Sequence, residues 1–219
     1  MNWAFLYYAD DRKETISLLY QDWDIHIVGK KARITPMTKQ DDEAYGRIMY
    51  GSKYDSFFEV FKNTSFTGID DILNHKSSEE THALRPLNNE KFIGWIALQK
   101  DNEGRMDIGI SIADECQNQG IGPEAVMLFC NRLYEVYNVQ RVYVHISEDN
   151  IQSQRAFAKV GAVFDQSLPN YYFVRLAESF PEGSPERLNI PNLFYYHIDL
   201  PITTYLPKEG SGGTNSTES

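Results

Sequence analysis

Cysteine is scarce in this 219-residue chain, with Cys116 and Cys130 the only two. They cannot build a multi-bridge disulfide framework, and they fall short of the ligand set of a zinc knuckle, so redox and metal roles are set aside. Long apolar runs are also missing: no stretch approaches the roughly 20 residues that a membrane-spanning helix needs. Near the N-terminus, Asp10, Asp11, Arg12 and Lys13 follow closely on Phe5, Leu6, Tyr7 and Tyr8, which is not a secretory layout. The expected location is cytoplasmic. Positive charge is in deficit, since 21 Lys and Arg against 31 Asp and Glu leave a net −10 with His neutral. That field repels phosphate backbones and anionic bilayers, which disfavours nucleic acid and membranes as partners and draws in cationic small molecules or basic peptides. It also serves solubility.

There is no fixed-period repeat, and low complexity is confined to the tail Glu209–Ser219, whose Gly, Ser and Thr cannot bury a core. Residues 1–30 read as an N-terminal extension of unclear role, in which Ile25 to Val28 alternates like a strand. Residues 31–206 read as a single domain and 207–219 as a disordered tail.

Within the domain, Ala32–Thr35 reads as a short strand. Thr38 followed by Asp41 is a helix-start signature, with Ala44, Tyr45, Ile48 and Met49 forming one apolar face behind it. Ser52–Glu80 carries helix-like aromatic and aliphatic clusters broken by turn formers. Extended segments then follow at Thr81–Leu87, Phe92–Gln99 and Met106–Ala113, separated by Asn-rich and Asp/Gly turns, as in an antiparallel meander. In the last of these, Met106, Ile108, Ile110 and Ile112 take one face while Asp107, Gly109 and Ser111 take the other. A helix opens after Gly122 with Pro123 in its first turn and Ala125, Val126, Phe129, Leu133, Val136 and Tyr137 at helical spacing. The strand Arg141–Ser147, a helix reaching about Val160 with Gly161 as terminator, and the strand Ala162–Asp165 complete the run.

Glycines in a turn between a strand and a helix expose backbone N–H groups at the positive end of the helix dipole. Gln117-Asn118-Gln119-Gly120-Ile121-Gly122 fits such an anion site, and it is neither a Walker loop nor a dinucleotide fingerprint. On the second helix Asn150, Ser153, Phe157 and Val160 share a stripe. Asn150 reads either as an N-cap or as a ligand contact, and the Ser153 hydroxyl, on a face expected to be buried, needs a partner. Asp107 reads either as a general base or as a solvated residue beside the Asp101–Gly104 turn. His145 reads as a structural strand histidine, and Cys116 as a small buried hydrophobe.

Taken in order, IGWIAL, DIGISIADEC, QNQGIG with Pro123-Glu124-Ala125, and NIQSQRAFAKVGAVF resemble the Gcn5-related N-acetyltransferase (GNAT) superfamily, in its ribosomal-protein N-terminal acetyltransferase-like branch. ARITPMTKQDD is similar to that family's opening strand and helix, so the resemblance spans roughly Ala32 to Phe164 and, more loosely, Phe194–Leu200. It implies an α/β fold with a mixed, mostly antiparallel sheet of about seven strands, a splayed central pair and helices on both faces. Acetyl-CoA is the implied cosubstrate, without a metal. The backbone of Ile110, Ser111 and Ile112 would then run beside the pantetheine arm. The N–H groups of Gln117, Asn118, Gln119, Gly120, Ile121 and Gly122 would hold the pyrophosphate, Asn150 would bond the arm, and Ser153 would sit near the sulfur.

Acetyl transfer to an amine needs a base, for which Asp107 occupies the family's strand position, and a proton for the leaving thiolate. Many relatives supply that proton from a tyrosine where this chain has Phe157, so the role passes to Ser153 or a water. Because Gln stands at 117 and 119, phosphate binding would rest on backbone donors, with Arg155 or Lys159 toward the nucleotide end and a weak dependence on salt. The acceptor is a primary amine attacking directly: a peptide or protein N-terminus, an aminoglycoside or polyamine, or another small amine. A non-catalytic acyl-CoA-binding regulatory module is the alternative of a different class. Monomer and homodimer both remain open.

Overall fold

The computed structural model describes residues 26–41, 44–45, 47–48, 81–100, 104–170, 173–174, 177–178, 180–184 and 190–203. The tail, most of the N-terminal extension and the Ser52–Glu80 clusters lie outside them, as does Met49.

Eight strands form one sheet: β1 (Ile27–Val28), β2 (Ala32–Pro36), β3 (Thr81–Pro86), β4 (Gly94–Lys100), β5 (Met106–Ile112), β6 (Arg141–Ser147), β7 (Val163–Pro169) and β8 (Asn192–Asp199). Their order is β1-β2-β3-β4-β5-β6-β8-β7, and every neighbouring pair is antiparallel except β5 with β6. The sheet has one strand more than the expected count of about seven, and its β1 falls within Ile25 to Val28, the stretch of the N-terminal extension that alternates like a strand. The parallel pair needs a crossover, supplied by helix α1 (Ile121–Tyr137). Helix α2 (Ile151–Ala158) follows β6.

Side-chain alternation decides what each face of the sheet meets. In β6, Val142, Val144 and Ile146 are buried while Tyr143, His145 and Ser147 are only partly so. The former join Ile108 of β5, Phe129 and Leu133 of α1, and Phe157 of α2 in the larger core. The opposite face carries Trp95, Ala97 and Ala83, covered by Tyr45 together with Ala44 and Ile48. Residues 44, 45, 47 and 48 are helical, so helical segments cover both faces as expected. Val136, placed on the apolar stripe of α1 by spacing, is 45% exposed, while its neighbour Tyr137 packs against the core. Helix α2 closes with the N–H of Ala162 on the carbonyl of Phe157 and the N–H of Gly161 on that of Ala158, a Schellman stop at the expected glycine. The following strand runs on to Pro169, four residues past its expected end, because pairing with β8 continues to Asn192.

The helix-start signature is a 3₁₀ turn at Lys39–Asp41, where Asp41 Oδ2 accepts from the N–H (2.8 Å) and the hydroxyl (2.9 Å) of Thr38. The same carboxylate meets Arg85 of β3 in a fork, Nη1 to Oδ1 at 3.0 Å and Nη2 to Oδ2 at 2.7 Å. Arg85 Nε donates to Thr35 Oγ1 and Nη1 to the Glu90 carbonyl, so the guanidinium binds four segments together. Burial by itself raises the Asp41 pKa, but the bonds from Arg85 and Thr38 outweigh it and hold the carboxyl below its usual range.

Replacing Arg85 by Met strands a buried carboxylate and should cost about 3–5 kcal/mol in denaturant unfolding, much of it regained when Asp41 is also made apolar. Since the folded pKa of Asp41 is depressed, the pair's contribution is complete above the ordinary Asp value and is lost as pH falls through the folded one. The wild type should therefore lose more stability below about pH 4 than the Arg85→Met variant.

Candidate active site

Strands β5 and β6 share a single bridging pair, Asp107 with Tyr143. Beyond it they part, while β5 keeps its full antiparallel pairing to β4 out to Gly94 opposite Ile112. That pairing is tight: a Cβ at Gly94 would stand 2.3 Å from the Ser111 carbonyl oxygen, which accounts for the glycine in IGWIAL. The edge of β5 that turns away from β4 over Ile110, Ser111 and Ile112 therefore faces an opening. Strand polarity puts the carboxyl ends of both β5 and β6 at the mouth of that opening, where α1 and α2 begin. In open α/β sheets a ligand crevice forms at such a point.

The turn from β5 into α1 is a 3₁₀ turn at Asp114–Cys116, followed by Asn118 and Gly120 in the left-handed region at φ 60° and 77°. Gly120 is the N-cap of α1, which leaves the N–H groups of Ile121 and Gly122 without intrahelical acceptors, and Pro123 removes a third orphan donor. The two glutamines brace the turn from within. Gln117 Nε2 donates to the Ile112 carbonyl and to Asp114 Oδ1, both at 2.8 Å, and its Oε1 accepts from Gln152 Nε2 of α2 at 3.1 Å. Gln119 Nε2 donates to the Glu115 carbonyl at 3.0 Å. A cation does stand at this turn, from the first residue of the expected domain: Lys31 Nζ donates to the Gln119 carbonyl at 2.5 Å. It is brought there by Glu124, buried in the first turn of α1, which accepts from the backbone N–H groups of Lys30 (2.9 Å) and Lys31 (2.8 Å). No local pattern links residues 31 and 119; only the β1–β2 hairpin makes them neighbours. Arg155 is exposed and Lys159 partly buried.

Asn150 is the N-cap of α2, its Oδ1 accepting from the Ser153 N–H at 3.1 Å. The cap uses the oxygen, and Nδ2 is a donor on the same side chain. Ser153 is half-buried at the first turn, not on a buried face as the stripe suggested. Phe157 and Val160, farther along that stripe, are 2% exposed and belong to the core.

Asp107 is also 2% exposed, which overturns the reading of a solvated residue beside the preceding turn. Across the bridge its Oδ2 faces His145 Nδ1 at 3.3 Å, and among the described residues that oxygen has no other polar partner. His145 lies on the ring of Tyr195 at a centroid distance of 5.7 Å and an interplanar angle of 27°. Spacing within one strand gave no hint of this trio, because Asp107, His145 and Tyr195 come from three strands brought into register. The cysteines stay out of the chemistry. Burial pushes the Cys130 thiol well up, and burial followed by the charge of Glu115 raises that of Cys116, so neither is a ready thiolate.

A parallel pair that parts toward its carboxyl ends, with two helix starts and a glycine turn at its mouth, leaves a crevice edged by strand backbone and unpaired helix-start N–H groups. A family model described as the acetyltransferase (GNAT) domain matches residues 9–163, and the chain belongs to this family: it is an acetyltransferase. Among solved structures it is similar to a GNAT-family acetyltransferase from Bacillus anthracis at 18% identity, covering 80% of this chain and 98% of the other with a TM-score of 0.57. It is similar to Mycobacterium smegmatis RimJ in complex with CoA-disulfide at 13% identity, covering 81% and 88% with a TM-score of 0.54. A Vibrio cholerae chain described as a ribosomal-protein-serine acetyltransferase aligns at 15% identity over 80% and 98%, with a TM-score of 0.52. At these identities the likeness is one of fold. Comparison with curated proteins finds no match.

Two substitutions separate the roles of Asn150. Asp caps a helix as well as Asn does, so Asn150→Asp should leave the melting temperature nearly unchanged while Asn150→Ala costs about 1 kcal/mol. If Nδ2 holds a ligand carbonyl, both variants should weaken CoA binding in calorimetry.

Proposed function

We propose that the protein transfers an acetyl group from acetyl-CoA to a primary amine by direct attack, the acceptor being the N-terminal amine of a peptide or protein. The observation that carries this reading is the opening between β5 and β6, lined by strand backbone along its length and by helix starts at its mouth. The residues present fit the cosubstrate: an extended chain of amides suits a free strand edge at Ile110, Ser111 and Ile112. Orphan N–H groups of the Gln117–Gly122 turn, with Lys31 beside them, suit a pyrophosphate. When bound, acetyl-CoA supplies the acetyl group as an activated thioester.

The remaining work falls to the chain itself. Backbone donors of the turn fix the phosphates, Asn150 Nδ2 orients the pantetheine arm, and the Ser153 hydroxyl supplies or relays the proton that the departing thiolate takes up. Phe157, apolar and within the core, packs and does not donate. Asp107, at the strand position that the resemblance gives to the base, takes a proton from the acceptor amine directly or through a water. The choice of a peptide acceptor draws on the branch resemblance and on the names of the Vibrio cholerae and RimJ structures. The net charge of −10 suits a cationic acceptor and also favours polyamines or aminoglycosides, which makes them the second reading.

Calorimetry with acetyl-CoA and CoA, followed by thiol release in the presence of peptides with free α-amines, polyamines and aminoglycosides, tests both. Peptide-dependent release supports the proposal, release with polyamines or aminoglycosides alone selects the second reading, and binding without release favours a regulatory module. Absence of CoA binding sinks the acetyl-CoA reading altogether. Ser153→Ala should lower kcat with acetyl-CoA affinity unchanged, and an unchanged kcat would remove the hydroxyl from the mechanism.

A further inference from the structure

The β1–β2 hairpin turns through Gly29, Lys30 and Lys31, closed by the Gly29 N–H on the Ala32 carbonyl at 2.9 Å. It lies against the first turns of α1. A Cβ at Gly29 would stand 2.8 Å from the Ala32 carbonyl oxygen, from Glu124 Oε2 and from Leu128 Cδ1, so the turn has room for hydrogen alone at that position. Glu124 is 6% exposed, and its two oxygens take the N–H groups of Lys30 and Lys31, which fixes the point from which the Lys31 side chain starts. From there the exposed ammonium reaches the Gln119 carbonyl at 2.5 Å, its one partner among the described residues. The N–H and C=O of a trans peptide point to opposite sides, so the cation stands behind the Gln119–Gly120 peptide and polarises the Gly120 N–H in front of it. That N–H makes no backbone bond among the described residues. Glu124 itself puts a negative charge into the first turn of α1, where it repels an anion. Lys31 offsets it.

We propose that Lys31 is the cation of the cosubstrate site: a positioning residue that acts through the Gln119–Gly120 peptide on the pyrophosphate of CoA, with Glu124 holding it in place. The inference rests on the acetyl-CoA reading of the same cleft and names a charge that neither glutamine of the turn supplies. Gln117 and Gln119 use their amide groups within the turn and on Gln152, and both are neutral. With a lysine behind the turn, the phosphate end of the site carries a full positive charge, and affinity for CoA falls as salt rises. This reverses the weak salt dependence that the two glutamines by themselves imply. A merely structural Lys31, clamping the hairpin to the turn, would on removal cost the same affinity at every salt concentration.

The test is calorimetry of the full chain with CoA and with dephospho-CoA, which keeps the pyrophosphate and lacks the 3′-phosphate. Lys31→Met should weaken both by about 5–20-fold in about 0.1 M salt, the order expected of one charge near a doubly charged group at a partly solvated surface. The deficit should shrink to about 2-fold or less near 1 M, as the Debye length falls from about 10 Å to about 3 Å. Lys31→Arg keeps the charge and should bind within about 3-fold of the wild type. Arg132, exposed on α1 roughly 18 Å beyond Gly120, is the control cation, and Arg132→Gln should leave both affinities unchanged. Should the Met variant fail to fold, Lys31→Gln carries the same expectation. Equal affinities of wild type and variant, a deficit that salt does not reduce, or a loss with CoA but not with dephospho-CoA would each overturn the proposal. Absence of CoA binding by the wild type would instead overturn the acetyl-CoA reading on which it rests.

Discussion

Between β5 and β6 the sheet is held by one bridging pair, and the strands part beyond it toward their carboxyl ends. Everything that distinguishes the site follows from that parting. Because the pair is parallel, a hairpin cannot join it, and the chain must cross over through α1. The crossover begins where β5 ends, so the start of α1 and its left-handed turn lie at the mouth. The same polarity delivers α2 and its Asn150 cap there from the end of β6. On the far side β5 is bound to β4 along its whole length, which keeps the opened edge rigid.

Two buried acidic residues keep this arrangement in place by different means. Glu124 uses both carboxylate oxygens on backbone N–H groups of the β1–β2 hairpin, fastening the far edge of the sheet to the first turn of α1. Asp41 uses its carboxylate on Arg85 and Thr38, which ties the loop after β2 to β3. Buried carboxylates are tolerated only when their bonds are satisfied, and both of these are. Asp107 is the exception, with one oxygen facing only an imidazole.

Much of the fold was legible because alternation and helical spacing are local. The bounds of Arg141–Ser147 agree with the strand to the residue, and Gly161 ends α2 as its position suggested. The glycine turn ahead of α1 was legible for the same reason, since glycine, proline and a following apolar stripe are written side by side. Boundaries failed where pairing with a distant strand, not composition, set the length, as at β7. Lys31 and Glu124 were missed because their contacts span more than eighty positions of chain. Asp107 was named for its strand position while its burial and its histidine were not foreseen.

Residue order alone determined the alternating faces of β5 and β6, a helix following the Gln117–Gly122 turn and another starting by Asn150, the acidic charge and the absence of a basic residue from that turn. These depend on neighbours within a few positions, which a linear reading contains. Tertiary structure decided that a lysine from the first hairpin stands at that turn and that Asp107, His145 and Tyr195 of three strands meet on one face of the sheet. Register between strands distant in sequence is set by the packing of both sheet faces together, and a shift of one residue would turn each of those side chains to the other face.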